Sequence, residues 1–458
     1  MGRLRYILAL WASKLSIVAL KITRHNATNF PGIVALKVCP EFLKYAAKPG
    51  RIIGITGTNG KTTCSNMITD VLRLDGKKVL NNSAGSNINT GIATALVYGM
   101  TFFGREKYDI GVLEIDERSA KRILPYVKPD IMLVTNLSRD SIMRNAHPEY
   151  IANFLTENIS KDTMLVMNAD DLISSSICPD NPRTYYGIEQ MEGDDTECHD
   201  LINDYQICPV CHHKLKYEYH RYNNIGRAYC SECGFKAPEY AYAAFDVDLD
   251  EMTLMIRDKA ETARYKLLND ATHNIYNEVA VIALLRELGY GHDRLTEIFE
   301  DMKIVDTRYS EEIYGDKYLY RLLAKEKNAF ATSRAFSYIS TQPGDKEIIL
   351  MNSCQGDMKH WSENTCWLYD CDFEYLNDRR IKNIIVCGPR RFDHKLRLMM
   401  AGIPEDRISL TEKETDTPSM LKLFDDDHIY VLYGTDSFAL GMRVADMTAD
   451  ILKGGAEK

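Results

Sequence analysis

A glycine-rich turn followed by a lysine and two threonines is the first feature of this sequence that could do chemistry. The motif G-x-x-G-K-T follows the apolar run 51–55 and is formed by Gly57, Gly60, Lys61 and Thr62. Glycines let backbone N–H groups turn inward around phosphate oxygens, and a helix starting near Lys61 would add the positive end of its dipole. Lys61 supplies a charge for the outer phosphates, and the Thr62 hydroxyl is a ligand for Mg²⁺. The spacing predicts a loop that binds ATP phosphates, although Ile55 stands where the strict motif has glycine.

Two carboxylates end the predicted strand 109–115. Because side chains alternate along a strand, Glu114 and Asp116 share a face. A hard cation takes oxygen ligands, so a magnesium site beside the phosphate loop needs a carboxylate at a neighbouring strand end. We predict Glu114 as the second magnesium ligand, with Thr62 as the first. The alternative is that the acidic pair only caps the next helix.

Four cysteines form two C-x-x-C pairs, with 18 residues between the pairs. Four thiolates at this spacing suit one tetrahedral Zn²⁺ and leave no open position, which predicts a structural zinc ribbon at Cys208, Cys211, Cys230 and Cys233. Gly234 suits the tight turn after the second pair. The alternatives are four free thiols, or substitution by a neighbouring ligand, namely Cys198, His199, His212 or His213. Glutamates among its basic residues argue against a ribbon that binds nucleic acid.

Short apolar runs alternate with helical stretches through much of the chain. Predicted buried strands lie at 51–55, 109–115, 131–135 and 163–167, and in the last third at 347–351, 383–387 and 429–433. This alternation indicates a doubly wound α/β fold with parallel strands, in which ligands bind at the carboxyl ends of the strands. Residues 246–257 alternate like one strand, and residues 274–288 are strongly helical.

We expect three regions along the chain. They are an N-terminal helical segment over 1–48, a central ATP-binding domain over 49–304 and a C-terminal α/β domain over 305–458. The zinc ribbon is expected as an insertion at about 201–240, where the α/β pattern breaks and cysteines cluster.

The N-terminal segment carries an apolar stripe with helical spacing at Leu4, Leu8, Trp11, Leu15 and Val18. Its uncharged stretches are far shorter than the roughly 20 residues that span a bilayer. One hypothesis is a helix packed on the body of the protein. The other is a helix that touches an anionic membrane surface through Arg3, Arg5, Lys14, Lys21 and Arg24.

Composition narrows the class of protein. The 458 residues include 56 Lys and Arg against 65 Asp and Glu, a net charge of −9, which argues against a generic nucleic-acid binder. Twelve cysteines are too few for a disulfide scaffold, and no secretory signal is recognised. We therefore expect a cytoplasmic protein in a reducing setting. The alternative is a cytoplasmic protein that also contacts the inner face of the plasma membrane.

Together these residues resemble the Mur ligase family, ATP-dependent enzymes that join amines to carboxylates through an acyl phosphate. The stretch T-G-T-N-G-K-T-T at 56–63 is similar to the family's phosphate loop, and T-H-N-I-Y-N at 272–277 is similar to its adenine-contacting stretch. The resemblance implies a central P-loop domain with a parallel sheet, a Rossmann-like C-terminal domain, and ATP and Mg²⁺ as cofactors. It implies further nucleotide contacts from Thr58, Asn59, Thr63, His273, Asn274, Asn277 and Arg308.

Within that family the sequence resembles the MurT branch, which carries a four-cysteine insertion. The similar segments are 29–37, 87–91, 113–117, 136–140 and 168–171, so the resemblance covers about residues 4–300 and then becomes patchy. It implies a GatD-like glutaminase as partner and lipid II as substrate, with amidation of the D-glutamate α-carboxylate to D-isoglutamine.

The last third departs from the pattern of that branch. MurT-like proteins carry N-D-x-x-A-D-G-x-D-x-S-W, whereas residues 352–367 are longer and have Asn364 in the place of an aspartate. If this chain supplies the acid of its partner's Cys-His triad, we predict Asp357, ahead of Asp370 and Asp372. The alternative is a divergent Mur-type ligase that joins a different amine to a peptide or polyglutamate carboxylate.

Overall fold

The computed structural model describes residues 2–23, 28–83, 86–139, 147–302, 309–324, 328–351, 365–425 and 427–456. They form two compact units. One is drawn from residues 1–139, 147–199 and 203–304, and the other from residues 200–202 and 305–458.

The first unit contains ten α-helices and eleven strands among the described residues. The helices are α1 (Gly2–Ile22), α2 (Phe30–Val38), α3 (Phe42–Tyr45), α4 (Lys61–Leu74), α5 (Asn89–Gly99), α6 (Ala120–Ile123), α7 (Pro148–Asn158), α8 (Leu172–Ser176), α9 (Thr272–Glu287) and α10 (His292–Asp301). The strands are β1 (Arg51–Thr56), β2 (Val79–Asn81), β3 (Ile110–Glu114), β4 (Ile131–Val134), β5 (Met164–Asn168), β6 (Arg183–Ile188), β7 (Lys216–Tyr222), β8 (Ile225–Tyr229), β9 (Tyr242–Asp248), β10 (Thr253–Arg257) and β11 (Thr262–Lys266).

Nine of these strands form one sheet in the order β11-β10-β9-β6-β5-β4-β1-β3-β2. The strands from β2 to β9 in that order run parallel, and β10 and β11 extend the edge as antiparallel strands. The chain passes from β1 to one side through β2 and β3, and then to the other side through β4. The end of β1 is therefore a topological switch point, where open α/β sheets bind their ligands.

Helices cover both faces of this sheet. Because side chains alternate along a strand, Ile53 and Ile55 of β1 join the core under α4, α9 and α10, whereas Ile52 joins the core under α1, α2 and α5. Helix α9 is buried over most of its surface, since all residues from Ile275 to Leu285 are buried. The helix that carries the predicted Asn277 is thus held from several sides.

The second unit has its own sheet, and its elements are α11 (Ala329–Thr341), α12 (Arg391–Met400), α13 (Phe438–Ala456), β12 (Tyr309–Tyr314), β13 (Lys317–Leu323), β14 (Asp345–Leu350), β15 (Ile381–Cys387), β16 (Ile408–Thr411) and β17 (Asp427–Tyr433). The order is β12-β13-β17-β14-β15-β16, parallel except for the pair β12–β13. Separate apolar clusters cover the two faces, with Ile348 on one and Ile349 on the other. This is an open α/β sheet between helical layers.

The expected single strand over 246–257 is wrong. The chain forms a hairpin there, in which β9 and β10 pair antiparallel. The Asp248 carboxylate accepts hydrogen bonds from the N–H groups of Asp250 (3.0 Å) and Glu251 (2.8 Å), which turns the chain. An Asx turn of this kind can lie inside an alternating pattern without interrupting it.

The N-terminal helix packs on the body of the unit, but not through the apolar stripe. Its buried side chains are Ala9, Leu10, Ser13 and Ile17. The stripe faces outward, with Leu4 66%, Leu15 65% and Val18 47% exposed. None of the described helices has the length and apolar content that a bilayer crossing requires.

Candidate functional site

The predicted phosphate loop lies at the switch point of the first sheet. Strand β1 ends at Thr56, and α4 begins at Lys61. Gly57 has φ 129° and Gly60 has φ 84°, in the region that favours glycine. A Cβ at Gly60 would lie 2.1 Å from Asn277 Oδ1, so any other residue would displace the Asn277 side chain. The loop thus has the geometry of a turn whose N–H groups and helix dipole attract anions.

Lys61 is held inside this loop by an acid that sequence reasoning missed. Its Nζ donates to Glu117 Oε1 at 2.7 Å and also to the carbonyl oxygens of Gly57 and Thr58. Glu117 Oε1 also accepts from the Gly57 N–H at 3.1 Å. Burial by itself would lower the pKa of Lys61, but the carboxylates of Glu117, Glu114 and Asp116, with Glu117 foremost, together outweigh it and raise that pKa. Lys61 therefore stays charged although it is largely buried.

Thr62 and Glu114 meet beside the loop, 52 positions apart in the sequence. The Thr62 hydroxyl donates to Glu114 Oε2 at 2.8 Å, and Asn87 Nδ2 donates to Glu114 Oε1 at 2.9 Å. Asn82 pairs with the backbone N–H and carbonyl of Glu114, both at 2.9 Å. Two ligands on adjacent octahedral positions of Mg²⁺, about 2.1 Å from the metal, lie roughly 3.0 Å apart. The Thr62 and Glu114 oxygens thus fit the cation that the sequence predicts.

Asp116 makes different contacts from the nearby Glu114. Its Oδ1 accepts hydrogen bonds from the N–H groups of Arg118 (3.1 Å) and Ser119 (3.0 Å). It therefore caps the short 3₁₀ turn Glu117–Ser119. The capping alternative holds for Asp116, whereas Glu114 turns toward Thr62.

Residues after β4 brace the other side of the loop. Asn136 Oδ1 accepts from the Asn59 N–H at 3.2 Å, and Thr135 Oγ1 donates to the Asn59 carbonyl at 2.6 Å. Thr58 Oγ1 accepts from the Ser138 N–H at 3.0 Å. These contacts join the loop to the neighbouring strand end and hold its shape before any ligand arrives.

The structure brings some of the other predicted nucleotide contacts to the loop. Asn277 lies against Gly60 and Cys64, with its Oδ1 3.6 Å from Cys64 Sγ. Its Nδ2 donates to Asn274 Oδ1 at 3.3 Å, and His273 is exposed at the start of α9. Thr63 is partly buried in the first turn of α4. Arg308 and Asp357 lie outside the described residues.

The four predicted cysteines come together in space. Their four sulfur atoms all lie within 4.8 Å of one another. Cys208 Sγ is 3.6 Å from Cys233 Sγ, and Cys211 Sγ is 3.4 Å from Cys230 Sγ. Four thiolates about 2.3 Å from a tetrahedral Zn²⁺ would lie roughly 3.8 Å apart, close to these distances.

The two cysteine turns are built alike. The Cys208 N–H donates to the His213 carbonyl and the Cys230 N–H to the Phe235 carbonyl, both at 2.8 Å. His212 and Gly234 take the matching positions with φ 62° and 75°. Two of the alternative ligands have other partners, since Cys198 Sγ contacts the Asn223 carbonyl and His199 pairs with Asp195.

Comparison with known proteins agrees with this architecture. Residues 55–285 match the Mur ligase middle domain, and residues 326–435 match the MurT ligase C-terminal domain. The pseudomurein peptide ligase type C of Methanothermus fervidus has a similar fold, with a TM-score of 0.65 at 22% identity over 89% of this chain and 80% of that one. MurF from Acinetobacter baumannii gives a TM-score of 0.64 at 12% identity over 91% of this chain and 80% of that one.

Two curated relatives are similar over most of their length. One is the MurT subunit of the glutamine-hydrolyzing lipid II isoglutaminyl synthase of Staphylococcus aureus (strain COL), 32% identical over 86% of this chain and 88% of the relative. The other is the MurT subunit of the synthase of the same name from Streptococcus pneumoniae (strain ATCC BAA-255 / R6), 30% identical over 89% of this chain and 90% of the relative. The match of residues 326–435 to the MurT ligase C-terminal domain extends the likeness into the last third of the chain. The chain belongs to the Mur ligase family and carries both the middle domain of that family and the C-terminal domain of its MurT branch.

Proposed function

We propose that this ATP-dependent ligase amidates the α-carboxylate of D-glutamate in the stem peptide of lipid II, giving D-isoglutamine, with ammonia from a GatD-like glutaminase. The observation that carries the proposal is the likeness to two MurT subunits over 86% and 89% of this chain. Both relatives are named as subunits of glutamine-hydrolyzing enzymes, which supports glutamine as the source of nitrogen.

The first step would activate the carboxylate. A carboxylate oxygen attacks the γ-phosphorus of ATP, ADP leaves, and an acyl phosphate forms. Lys61, held charged by Glu117, would turn to the outer phosphates and balance the charge that spreads over the transferred phosphoryl oxygens. Asn274, Asn277 and Arg308 are the proposed contacts to the rest of the nucleotide, together with the loop residues Thr58, Asn59 and Thr63.

The Thr62 hydroxyl and the Glu114 carboxylate would hold Mg²⁺, whose charge stabilises the phosphates when it is bound. Asn87 and Asn82 position Glu114 by three hydrogen bonds, one to the carboxylate and two to the backbone, so the carboxylate does not need to reorganise when it exchanges the Thr62 proton donor for a cation. This arrangement supports the ligand role of Glu114 and explains why two asparagines surround it.

The second step would form the amide. Ammonia attacks the carbonyl carbon of the acyl phosphate, the C–O bond to phosphate breaks, and the nitrogen loses a proton to solvent. The glutaminase that makes ammonia needs an acid to orient its histidine, and we propose Asp357 for that place. Asp372 is the weaker candidate because it is 2% exposed and accepts the Leu201 N–H at 2.6 Å.

We also propose that Cys208, Cys211, Cys230 and Cys233 bind one structural Zn²⁺. The matched turns and the sulfur distances support this role. Four protein ligands leave no open position for a substrate, so zinc would stabilise the insertion and take no part in the reaction.

The experiment is an amidation assay with purified lipid II, Mg²⁺-ATP and glutamine, using this chain co-purified with a GatD-like protein. We expect D-isoglutamine in the product, and loss of both ADP release and product with Lys61→Ala. Asp357→Asn should stop glutamine hydrolysis, whereas added ammonium salt should restore amidation in that variant.

The same assay distinguishes the alternative activity. ADP release that depends on another amine or on a peptide or polyglutamate acceptor, with lipid II unchanged, would contradict the proposal in favour of a divergent Mur-type ligase. Full glutamine hydrolysis in Asp357→Asn would remove that aspartate from the proposal and leave the amidation intact.

A further inference from the structure

Helix α1 presents an unpartnered apolar face to solvent. Its exposed large side chains recur at helical spacing, and we call them the N-terminal apolar face: Leu4, Ile7, Leu8, Trp11, Leu15, Val18 and Ile22. Leu15 is 65% exposed and Ile22 is 77% exposed. Contiguous apolar surface of this kind on a folded protein marks a binding site.

The outward direction of this face is imposed by packing. Ala9, Leu10, Ser13 and Ile17 lie on the opposite side of α1 and are buried. Ala9, Leu10 and Ile17 belong to the same core as Ala35 of α2 and Ile92 of α5. The helix is therefore held by one side, and turning the apolar face inward would expose the residues that hold it.

The loop after α5 enlarges the exposed surface. Trp11 Nε1 donates to the Phe102 carbonyl at 2.9 Å, and Lys14 Nζ donates to the Met100 carbonyl at 2.5 Å. Phe102 is 53% exposed and Phe103 is 88% exposed. Two aromatic rings and an indole therefore stand beside the leucines, in the combination that favours the interface of a bilayer.

Basic side chains accompany the apolar face. Helix α1 contains no Asp or Glu. Its basic residues and those of the neighbouring loop are Arg3, Arg5, Lys14, Lys21, Arg105 and Lys107. The loop has two acids, and both accept backbone N–H groups. Glu106 accepts those of Lys107 (2.8 Å) and Tyr108 (3.0 Å), and Asp109 accepts that of Lys78 (3.1 Å). A positive apolar surface is unexpected on a chain of net charge −9, and it complements anionic lipid.

We propose that the N-terminal apolar face docks on the surface of an anionic lipid bilayer, with α1 lying parallel to the membrane plane. The charge argues for lipid over a second copy of the chain, because a symmetric dimer through α1 would bring the same basic side chains together. The proposed membrane contact is inferred from the surface of α1 and the neighbouring loop alone. Its purpose, to bring the ligase to a lipid-linked substrate, rests on the proposed function.

The test is flotation of the purified full chain with vesicles. One set is phosphatidylcholine alone, and the other contains about one third phosphatidylglycerol. We expect binding to the anionic vesicles, with a bound fraction that falls as salt rises from about 0.1 M to about 0.5 M. Leu8→Glu with Leu15→Glu should lower the partition coefficient by more than about tenfold, since charge is expelled from the apolar boundary.

Matched variants control for surface charge and folding. Leu396→Glu with Met400→Glu changes two side chains of similar exposure on α12, 53% and 61%, and should bind vesicles like the wild type. Arg3→Gln with Lys21→Gln should weaken binding to anionic vesicles by about tenfold or more and leave the phosphatidylcholine result unchanged. All variants should keep the rise in melting temperature with Mg²⁺-ATP, which separates this test from failure of the ligase site.

Three results would overturn the proposal. The first is no binding to anionic vesicles at low salt, and the second is equal binding by Leu8→Glu with Leu15→Glu. The third is a dimer in sedimentation equilibrium that this double variant converts to monomer, because the face would then belong to a second copy.

Discussion

Lys61 and Glu117 form an ion pair at the base of the phosphate loop, with Nζ 2.7 Å from Oε1 and only 11% and 8% of the two side chains exposed. Glu117 Oε1 also accepts the Gly57 N–H at 3.1 Å. One acid therefore holds both the lysine and a backbone group of the loop, in the place where phosphate oxygens are expected to make the same contacts. We interpret Glu117 as a residue that positions Lys61 until nucleotide arrives.

Glu117→Gln should make nucleotide binding depend on pH. In the wild type Glu117 raises the pKa of Lys61, so the lysine stays charged to a pH above the ordinary pKa of a lysine. Without that carboxylate the opposing effect of burial lowers the pKa. The shift in melting temperature with Mg²⁺-ATP should then decline from pH 7 to pH 9 in Glu117→Gln and stay level in the wild type. Parallel profiles for Glu117→Gln and the wild type would contradict the interpretation.

Thr62→Val should weaken the response to magnesium. Valine has nearly the shape of threonine but lacks the oxygen that lies 2.8 Å from Glu114 Oε2. Loss of one ligand should raise the Mg²⁺ concentration needed for half-maximal ADP release by about tenfold, equivalent to about 1.4 kcal/mol. Thr62→Ser should recover most of the affinity because it restores the hydroxyl. An unchanged magnesium titration in Thr62→Val would remove Thr62 from the metal site.

Purified protein should contain one zinc per chain under reducing conditions. Structural zinc contributes about 10–16 kcal/mol of apparent binding energy in small fingers, so Cys208→Ser should lose the metal and melt at lower temperature. Cys198→Ser is the matched control, because Cys198 lies near in sequence but its Sγ contacts the Asn223 carbonyl. Metal analysis of both variants checks the prediction. Absence of zinc from the wild type would favour four free thiols.

Glu278→Gln should stabilise the protein at neutral and alkaline pH. Glu278 is 1% exposed, its Oε2 accepts the Leu268 N–H at 3.0 Å, and burial raises its pKa to about 8. A carboxyl whose folded pKa is raised stabilises the fold below its unfolded pKa, near 4.3, and loses that contribution as pH rises to 8. Glutamine keeps the acceptor and does not titrate.

The measurement is the free energy of unfolding by urea from pH 5 to pH 9. The advantage of Glu278→Gln should grow by about 1.4 kcal/mol per pH unit at most, and level off above pH 8. Glu300→Gln, at an exposed position of α10, should follow the wild type. An advantage that does not change with pH would mean that Glu278 does not carry the titration.

The sequence by itself predicted most of the groups to which we assign chemistry. The phosphate loop, Glu114 and the two cysteine pairs were all readable, because each depends on residue types at short spacing after a predicted strand or within one turn. The strands beside the loop were readable for the same reason, since fully buried parallel strands are short apolar runs. The family followed from these residues, and the comparisons confirm it.

The tertiary structure decided what depends on contact between distant residues. Glu117 meets Lys61 across 56 positions, and Asn87 meets Glu114 across 27, so no local pattern marks either partner. The orientation of α1 was also undetermined, because the helix has large apolar residues on both sides. Its smaller side chains Ala9 and Ser13 allow close approach to the neighbouring helices, and this packing leaves Leu4 and Leu15 in solvent.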